Sequence, residues 1–544
     1  MNISQKFLIA LGFTSLSHAQ NPVVTPNGIV NVASFALAGQ PNGAIAPGSM
    51  VVIFGSNMGP AVLQQAGAYP LPITLGGTSV KVTSGSTTTD AIMIYTSAGQ
   101  IAAIIPSITP AGAATLVLTY NGKSSTPATF KIVPNSFGIF AANQGGSGPG
   151  IITNGSSQIL GMTNAANPGD VAVIWGTGLG AVKGNEAGGA LPGDISNIPV
   201  EVTVGGQPAV VNYRGRSGCC AGVDQIAFTV PEVIGCRVPV TLKINDVVSN
   251  YTSMPVALAG SKTCTDAGGP SASEVQRFTT DGVSLGWVLL SRTSSFDTVT
   301  SGSLATSDSG LVSLFKYSAA QVNASPNPFV APALNATTVG ACTAFPGGSV
   351  PGQPVSPLGL EAGANISLSG AGSTKQIPRA IAGLYGAPLG SGTSLYFEPG
   401  IFTVSGSGGA NVGAFQTIVT MPAALKWTNM DSIVNVNRTA GQLITWTGGD
   451  PAGNVTIFGY SATGTGASTI SATFICTVKA SDGQFTIPPA TLLSLPVSGT
   501  NSGFFTGLLS VGTNTVPKLF TATGLDVGYA VGKVSITKSV LNYQ

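Results

Sequence analysis

Apolar residues recur along this chain in short runs that glycine and proline close off. The clearest run is Pro47 to Gly59, PGSMVVIFGSNMG, and it returns 121 residues later as Pro168 to Gly180, PGDVAVIWGTGLG. Each copy reads Pro-Gly, a variable residue, four apolar residues, an aromatic, Gly, two variable residues, an apolar residue and Gly. An apolar run of that length between two turns predicts a buried strand. The repeat continues, since Gln100 to Pro106, QIAAIIP, matches Gln225 to Pro231, QIAFTVP, now at an offset of 125. The four extra residues fall where the second copy carries the loop Gly215 to Gly222, GRSGCCAG. This period is far longer than the ~20–50 residues of solenoid repeats, so each copy is a domain in its own right. About seven short strands in ~90–100 residues suit an immunoglobulin-like sandwich.

Taken in order, residues 20–44 read as a lead-in and 45–134 as the first repeat. Strands are predicted in the first repeat at Thr78–Thr83, Ala91–Tyr95, Gln100–Ile105, Ala114–Tyr120 and Ala128–Val133, with a hairpin at Asn121-Gly122. Residues 135–167 form a Gly- and Asn-rich connector, and 168–258 the second repeat. A linker and β-rich segment follows over 259–353, with strands expected at Val283–Leu290 and Gly310–Tyr317. Alternation resumes over 354–544, read as a further sandwich-like region. No stretch sustains a 3.6-residue period, so the fold class is all-β: tandem immunoglobulin-like sandwiches followed by a further β-rich region.

Several segments together carry a family resemblance: NVASF (Asn31–Phe35), APGSMVVIFGSNMG, LPITLGGTSVKV and QIAAIIP, then PGDVAVIWGTGLG, VTVGGQPAVVNY and DQIAFTVP. The Pro-Gly opening resembles the IPT/TIG type of immunoglobulin-like domain. The wider pattern, over roughly Gly28 to Ala257, is similar to an uncharacterised family of exported acidobacterial proteins described by a C-terminal paired-repeat domain. In many relatives that module ends the chain, whereas here a long region follows it. The resemblance implies export and a β fold, and it supplies no catalytic residues.

Composition narrows the chemistry. Residues 1–19 read as a signal peptide: Lys6 is the only charge, Phe7–Leu16 is mostly apolar, and Ser17-His18-Ala19 offers a small-x-small cleavage site. Removing it removes the only histidine, His18, and with it every Ser-His-Asp, Cys-His and imidazole-metal arrangement. The remaining charge is 21 − 1 = 20 Lys+Arg against 19 Asp+Glu, with no basic patch to suggest nucleic acid. Charged residues are 7% of the chain against about 25% in ordinary globular proteins, so Ser, Thr, Asn and Gly must cover the surface. No later run reaches the ~18 apolar residues of a membrane helix. These readings place the chain outside the cytoplasm, as an extracellular, cell-surface or periplasmic protein.

All six cysteines, Cys219, Cys220, Cys236, Cys264, Cys342 and Cys476, lie after the signal segment, and an even count in an exported chain favours disulfides. The first four allow three pairings. The plainer arrangement has Cys219 and Cys220 bonding outward to Cys236 and Cys264. A Cys219–Cys220 bond would instead make a rigid exposed knob for ligand contact. Cys342 and Cys476 are free or paired over a long loop. Zinc lacks both a CxxC pair and a histidine, and no other metal or cofactor is expected.

Trp427 and Trp446 are possible ligand contacts, because exposed indoles stack on sugar rings; sandwich-core tryptophans are the alternative. Trp175 is expected in the core, since Phe54 holds its place in the first repeat. Glu361, Glu398, Asp431 and Asp450 are the acids available for a two-carboxylate hydrolytic site. Asp450 also suits an Asp-Pro turn, and Asp281-Gly282 and Asp482-Gly483 suit hairpin turns. The function expected is an exported, non-enzymatic adhesion or scaffold protein whose partner is an unknown protein or polysaccharide. The alternative is a carbohydrate-binding or carbohydrate-cleaving protein that uses aromatics and carboxylates of the C-terminal half.

Overall fold

The computed structural model describes residues 20–265, 270–296, 304–324, 338–347, 356–370, 372–465, 469–498, 506–540 and 542–544. The expected signal peptide lies outside the described residues, as do parts of the expected 259–353 segment. The described chain is all-β, with immunoglobulin-like sandwiches in tandem and a larger β region after them.

In the first unit, Val23–Asn31, Met50–Ser56, Gln100–Ile104, Ile92–Thr96 and Gln64–Gln65 form one antiparallel sheet in that order. Thr78–Ser84 and Gly112–Tyr120 centre the facing sheet, which Ala128–Ile132 and shorter strands complete. Val51, Ile53, Val80, Val82, Ile101, Leu116 and Leu118 fill the space between them. The turn at Asn121-Gly122 has positive φ at both residues, as a tight hairpin between right-twisted strands needs. Val23–Asn31 corrects the lead-in reading: it is an edge strand of this sandwich. Its register shifts between Val24 and Ile29 around Asn27-Gly28, and that bulge breaks the apolar alternation that marks a strand.

The second unit repeats the plan. Val171–Thr177 pairs with Asp224–Thr229 as Met50–Ser56 pairs with Gln100–Ile104. The strand Gln207–Arg216 begins in one sheet, beside Val200–Val204, and ends in the other, beside Asp224–Thr229. The expected connector is also corrected. Gly138–Ile139 and Ile152–Asn154 pair with Val171–Thr177, in the role that Val23–Asn31 plays for the first unit. Phe54 and Trp175 hold matching places, opposite Gln100 and Gln225. Both point to the outer face, because Ile53 and Ile174 beside them point inward. Trp175 is therefore a half-buried outer residue whose indole donates to Thr153 Oγ1 at 3.0 Å, not the core residue expected.

Among the described residues from Val283 onward, one 14-stranded sheet runs through the C-terminal region. At its middle, Val283–Phe296 pairs antiparallel with Leu304–Tyr317 on one side. On the other it pairs in parallel with Val527–Val540, from Leu285↔Val527 to Phe296↔Lys538. The expected division between residues 353 and 354 falls inside this sheet. One lobe encloses Val288, Val312, Ile366, Tyr385, Phe397 and Phe402. The other encloses Trp427, Trp446, Val455, Ile457, Phe474 and Tyr543. Cross-strand hydroxyl pairs such as Ser291···Ser309 at 2.8 Å, Ser294···Thr306 at 2.9 Å and Thr537–Ser510 at 2.9 Å stand where charge pairs often stand on sheets.

Ala272–Asp281 is a helix, and Gly282 caps it at φ +85° in place of the hairpin turn that Asp281-Gly282 suggests. Its signal was present: Ser271 and Glu274 form a capping box. At Asp482-Gly483 the chain passes between strands that pair with different partners, Ile470–Lys479 and Gln484–Ile487, so this turn closes no hairpin.

Asp308, fully buried in the first C-terminal lobe, receives Nε and Nη2 of Arg292 at 2.8 and 2.9 Å and the amides of Tyr396 and Phe397 at 2.7 and 2.8 Å. Burial pushes this carboxyl up, but Arg292 and the two amides pull further and leave it below its usual value. A depressed carboxylate contributes stability above the unfolded value of about 3.9, and that stability is lost as pH falls through the folded value. Asp308→Ala should cost about 3–5 kcal/mol in denaturant unfolding at neutral pH. The difference from wild type should shrink below about pH 4; a pH-independent difference would show that the charge is not what stabilises the lobe.

Candidate functional site

The two repeats meet through a buried cluster of charge. Arg216 ends its strand with its side chain 3% exposed, and Nη1 bonds Asp224, which is fully buried on the neighbouring strand. Arg216 Nη2 donates to Gly180 O at 2.8 Å and lies 3.5 Å from Glu186 Oε1. Asp224 Oδ2 also accepts the amides of Gly178 and Leu179, both at 2.8 Å, which shapes the glycine turn that ends the second motif. Burial pushes the Asp224 carboxyl up against the pull of Arg216 and these amides. The first repeat has Gly99 at the matching position, so the cluster belongs to the second repeat alone.

Glu186 carries the cluster across to the first repeat. Its carboxylate accepts the Ser107 amide at 2.8 Å and the Ser107 hydroxyl at 2.9 Å, while Ser107 Oγ accepts the Val182 amide at 2.9 Å. Thr177 accepts the Met50 amide at 3.0 Å and donates to Gly222 O at 2.6 Å. Ala221 packs against Ile92 and Ile104 of the first repeat. A Cβ on Gly222 would come within 2.8 Å of Met50 and 3.0 Å of Ile104, so the base of the loop Ser217–Val223 is seated directly on the first sandwich.

The tip of that loop faces water. Cys219 and Cys220 are exposed and bonded to each other. Cys236 pairs with Cys264, and Cys342 with Cys476. This corrects the outward pairing to Cys236 and Cys264: those two close the exit of the second repeat between themselves. Cys342 and Cys476 stand opposite one another on adjacent strands. Ser217 braces the tip, its Oγ accepting the Cys219 amide at 2.9 Å and lying 3.0 Å from Cys219 Sγ. From the first repeat Tyr69, 44% exposed, accepts the Ala221 amide at its hydroxyl at 2.9 Å. Pro192 is exposed beside Gly218.

The other expected contacts lie elsewhere. Trp427 and Trp446 face each other in a strand pair, 4% and 3% exposed. Their indole N–H groups are spent on Asn429 Oδ1 and Ala480 O, both at 2.9 Å. Enclosed in the core, neither ring can stack on a sugar. Glu361 pairs with Arg379, and Asp450 Oδ1 caps its own turn by accepting the Ala452 amide at 3.0 Å. Glu398 and Asp431 are exposed. Among the described residues no group of three or more His, Cys, Asp or Glu could hold a metal ion. Among the described residues no helix is long and apolar enough to cross a membrane.

The second repeat also grips the C-terminal region. Tyr251 enters the core that holds both tryptophans, its hydroxyl 3.1 Å from Thr491 Oγ1, and burial pushes its phenol up to about 12. Gln40 of the first unit reaches Ser471 O at 2.9 Å. Ser34, Gln40, Asn250, Tyr251, Phe345 and Ser494 line a cavity of about 20 Å³ between the units, which is room for a single water.

The fold and this junction define a multi-unit all-β protein whose tandem immunoglobulin-like sandwiches are clamped together. No protein-family model matches the chain, and no curated protein is significantly similar to it. Among solved structures it is similar to the plexin A4 extracellular region at 17% identity, covering 45% of this chain and 19% of that one, with a TM-score of 0.15. It is also similar to the S-layer protein rSbsC at 12% identity, covering 95% and 54%, with a TM-score of 0.17. A Bacteroides ovatus protein of a mixed-linkage glucan utilization locus, SGBP-B, aligns at 11% identity over 82% and 93%, with a TM-score of 0.14. Likenesses this faint carry no conclusion about function.

Two measurements probe the junction. Gly48, from the first Pro-Gly turn, has φ +75°, and a Cβ there would collide with Arg216 Nη2 and approach Glu186 Oε1 within 2.8 Å. Gly169, its counterpart, has φ +86° with nothing within 4 Å. Gly169→Ala should cost about 1–2 kcal/mol from backbone strain alone, and Gly48→Ala at least about 2 kcal/mol more, read by thermal unfolding. Equal costs would mean that the turn does not press on the cluster. Mild phosphine reduction of the folded protein, followed by alkylation and peptide mapping, should label Cys219 and Cys220 first, because the other four cysteines are at most 5% exposed. First labelling of Cys236 or Cys342 would contradict the exposed placement of the Cys219–Cys220 bond, and labelling of Cys219 together with Cys236 would contradict the pairing.

Proposed function

We propose that this is an exported, non-enzymatic adhesion or scaffold protein, acting at the cell surface or beyond it, with repeats of the IPT/TIG type. The observation that carries the reading is the clamped junction. Separate domains on one chain ordinarily move relative to each other unless their interface is large and apolar. Here Glu186, Arg216, Ser107 and Thr177 lock the two repeats by buried hydrogen bonds, and Tyr251 anchors the second repeat in the C-terminal core. A body built in this way holds its surface loops at fixed separations, which suits a spacer or an adhesive module. Three disulfides fit an oxidising compartment. A chain with only 7% charged residues suits close contact with neutral polymer or with neighbouring proteins.

The test is to present the purified chain to neutral polysaccharides and to extracellular-matrix proteins, and to measure both retention and turnover. Saturable retention with no new reducing ends or other product is expected. Release of product from any of these materials would replace the scaffold reading with an enzymatic one, and no retention by a folded chain would remove it.

A further inference from the structure

The Cys219–Cys220 bond calls for an explanation other than stability. A disulfide stabilises chiefly by closing a loop in the unfolded chain, and a bond between adjacent residues closes none. Cys236–Cys264 and Cys342–Cys476, with sequence separations of 28 and 134, do that work and are buried. The adjacent pair is exposed instead, at the tip of a loop whose base is held from both repeats. What the bond does must lie in what it presents to solvent.

It presents a rigid apolar surface with no charge of its own. Beside it stands the Tyr69 ring, its orientation held by the hydroxyl's bond to the Ala221 amide, and the exposed ring of Pro192 lies against Gly218. Of the charges in the loop's own framework, Arg216, Asp224 and Glu186 are buried behind it and held by each other and by the first repeat, and Asp194, exposed on the strand that pairs with Gly215, is a carboxylate that accepts the Arg214 amide. An anionic ligand finds no exposed cation in this set. A pyranose does find a partner, because one face of its ring is a patch of C–H bonds that packs on aromatic and other apolar surfaces, while its hydroxyls stay free for backbone groups and water.

We propose that the Cys219–Cys220 knob with Tyr69 is the contact site for a neutral saccharide chain. The proposal rests on the adhesion reading and names its site and ligand class. Neither repeat makes the site alone: Tyr69 comes from the first and the disulfide from the second. The clamp at Arg216 and Glu186 then has a further role, since it sets the spacing of the two contact groups.

The test uses the full chain on an array of neutral oligosaccharides and on insoluble cellulose and chitin. Wild type should bind at least one of them. Tyr69→Ala, the double variant Cys219→Ser with Cys220→Ser, and wild type reduced only at this pair should each lose at least about tenfold in affinity. Thermal unfolding of the double variant should match wild type, which separates lost binding from lost fold. Tyr69→Phe keeps the ring but drops the hydroxyl that orients it, so it should lose less binding than Tyr69→Ala. Full glycan binding by the variants would overturn this site and leave adhesion standing. Retention on matrix proteins alone would overturn the saccharide class. No binding to any material by a folded chain would overturn both readings.

Discussion

The arrangement of the N-terminal half depends on one guanidinium. Arg216 has two buried carboxylates around it, and removing any one partner would leave charge buried and unpaired, so the cluster is stable only while every member stays in place. One arm shapes the glycine turn that ends the second motif, through Asp224. The other reaches the first repeat, through Glu186 and Ser107. Buried charge of this kind contributes little net stability and is severe on alternatives. A shift of one sandwich against the other would strand Glu186 or Asp224 without a partner. The interface therefore specifies one relative position instead of a range, and the exposed loop beyond it inherits that definition.

The C-terminal region solves a different problem. Its sheet has too many strands to stay flat, so it curls around two separate cores. The strand Val527–Val540 lines both cores, with Ala530 in one and Val540 in the other, and its ladder with Val283–Phe296 ties the lobes together. Low charge is compatible with this architecture because hydroxyl pairs bridge neighbouring strands, and one ion pair, Arg292 with Asp308, is placed inside.

Much of the first half was legible in the sequence because a duplicated pattern is its own control. The Pro-Gly openings, the glutamine strands and the Asn121-Gly122 hairpin all rest on local rules, and each is in place. The first edge strand was hidden by the bulge at Asn27, and the helix at Ala272 by its short apolar stripe despite its capping box. Arg216, Glu186 and Ser107 carried no local signal: they come from separate loops and strands, and only the Asp224-for-Gly99 difference hinted at them. Cysteine pairing depends on which loops are pinned by other contacts, which spacing does not encode. The buried tryptophans show the same limit, since Trp427 and Trp446 look alike in sequence whether their faces meet solvent or each other. Parallel pairing across more than two hundred residues leaves no periodic trace at all.

That parallel ladder has a mechanical meaning. The chain enters it at Val283 and leaves it at Val540, and because the two strands run the same way these points lie at opposite ends of the pair. A pull between them slides one strand along the other and loads the ladder's hydrogen bonds together. An antiparallel hairpin pulled at its open end would instead yield one bond at a time, like a zip. Tension carried through this region is therefore met in shear, the geometry in which a β-sheet resists most, with the load shared along the whole length of the pair.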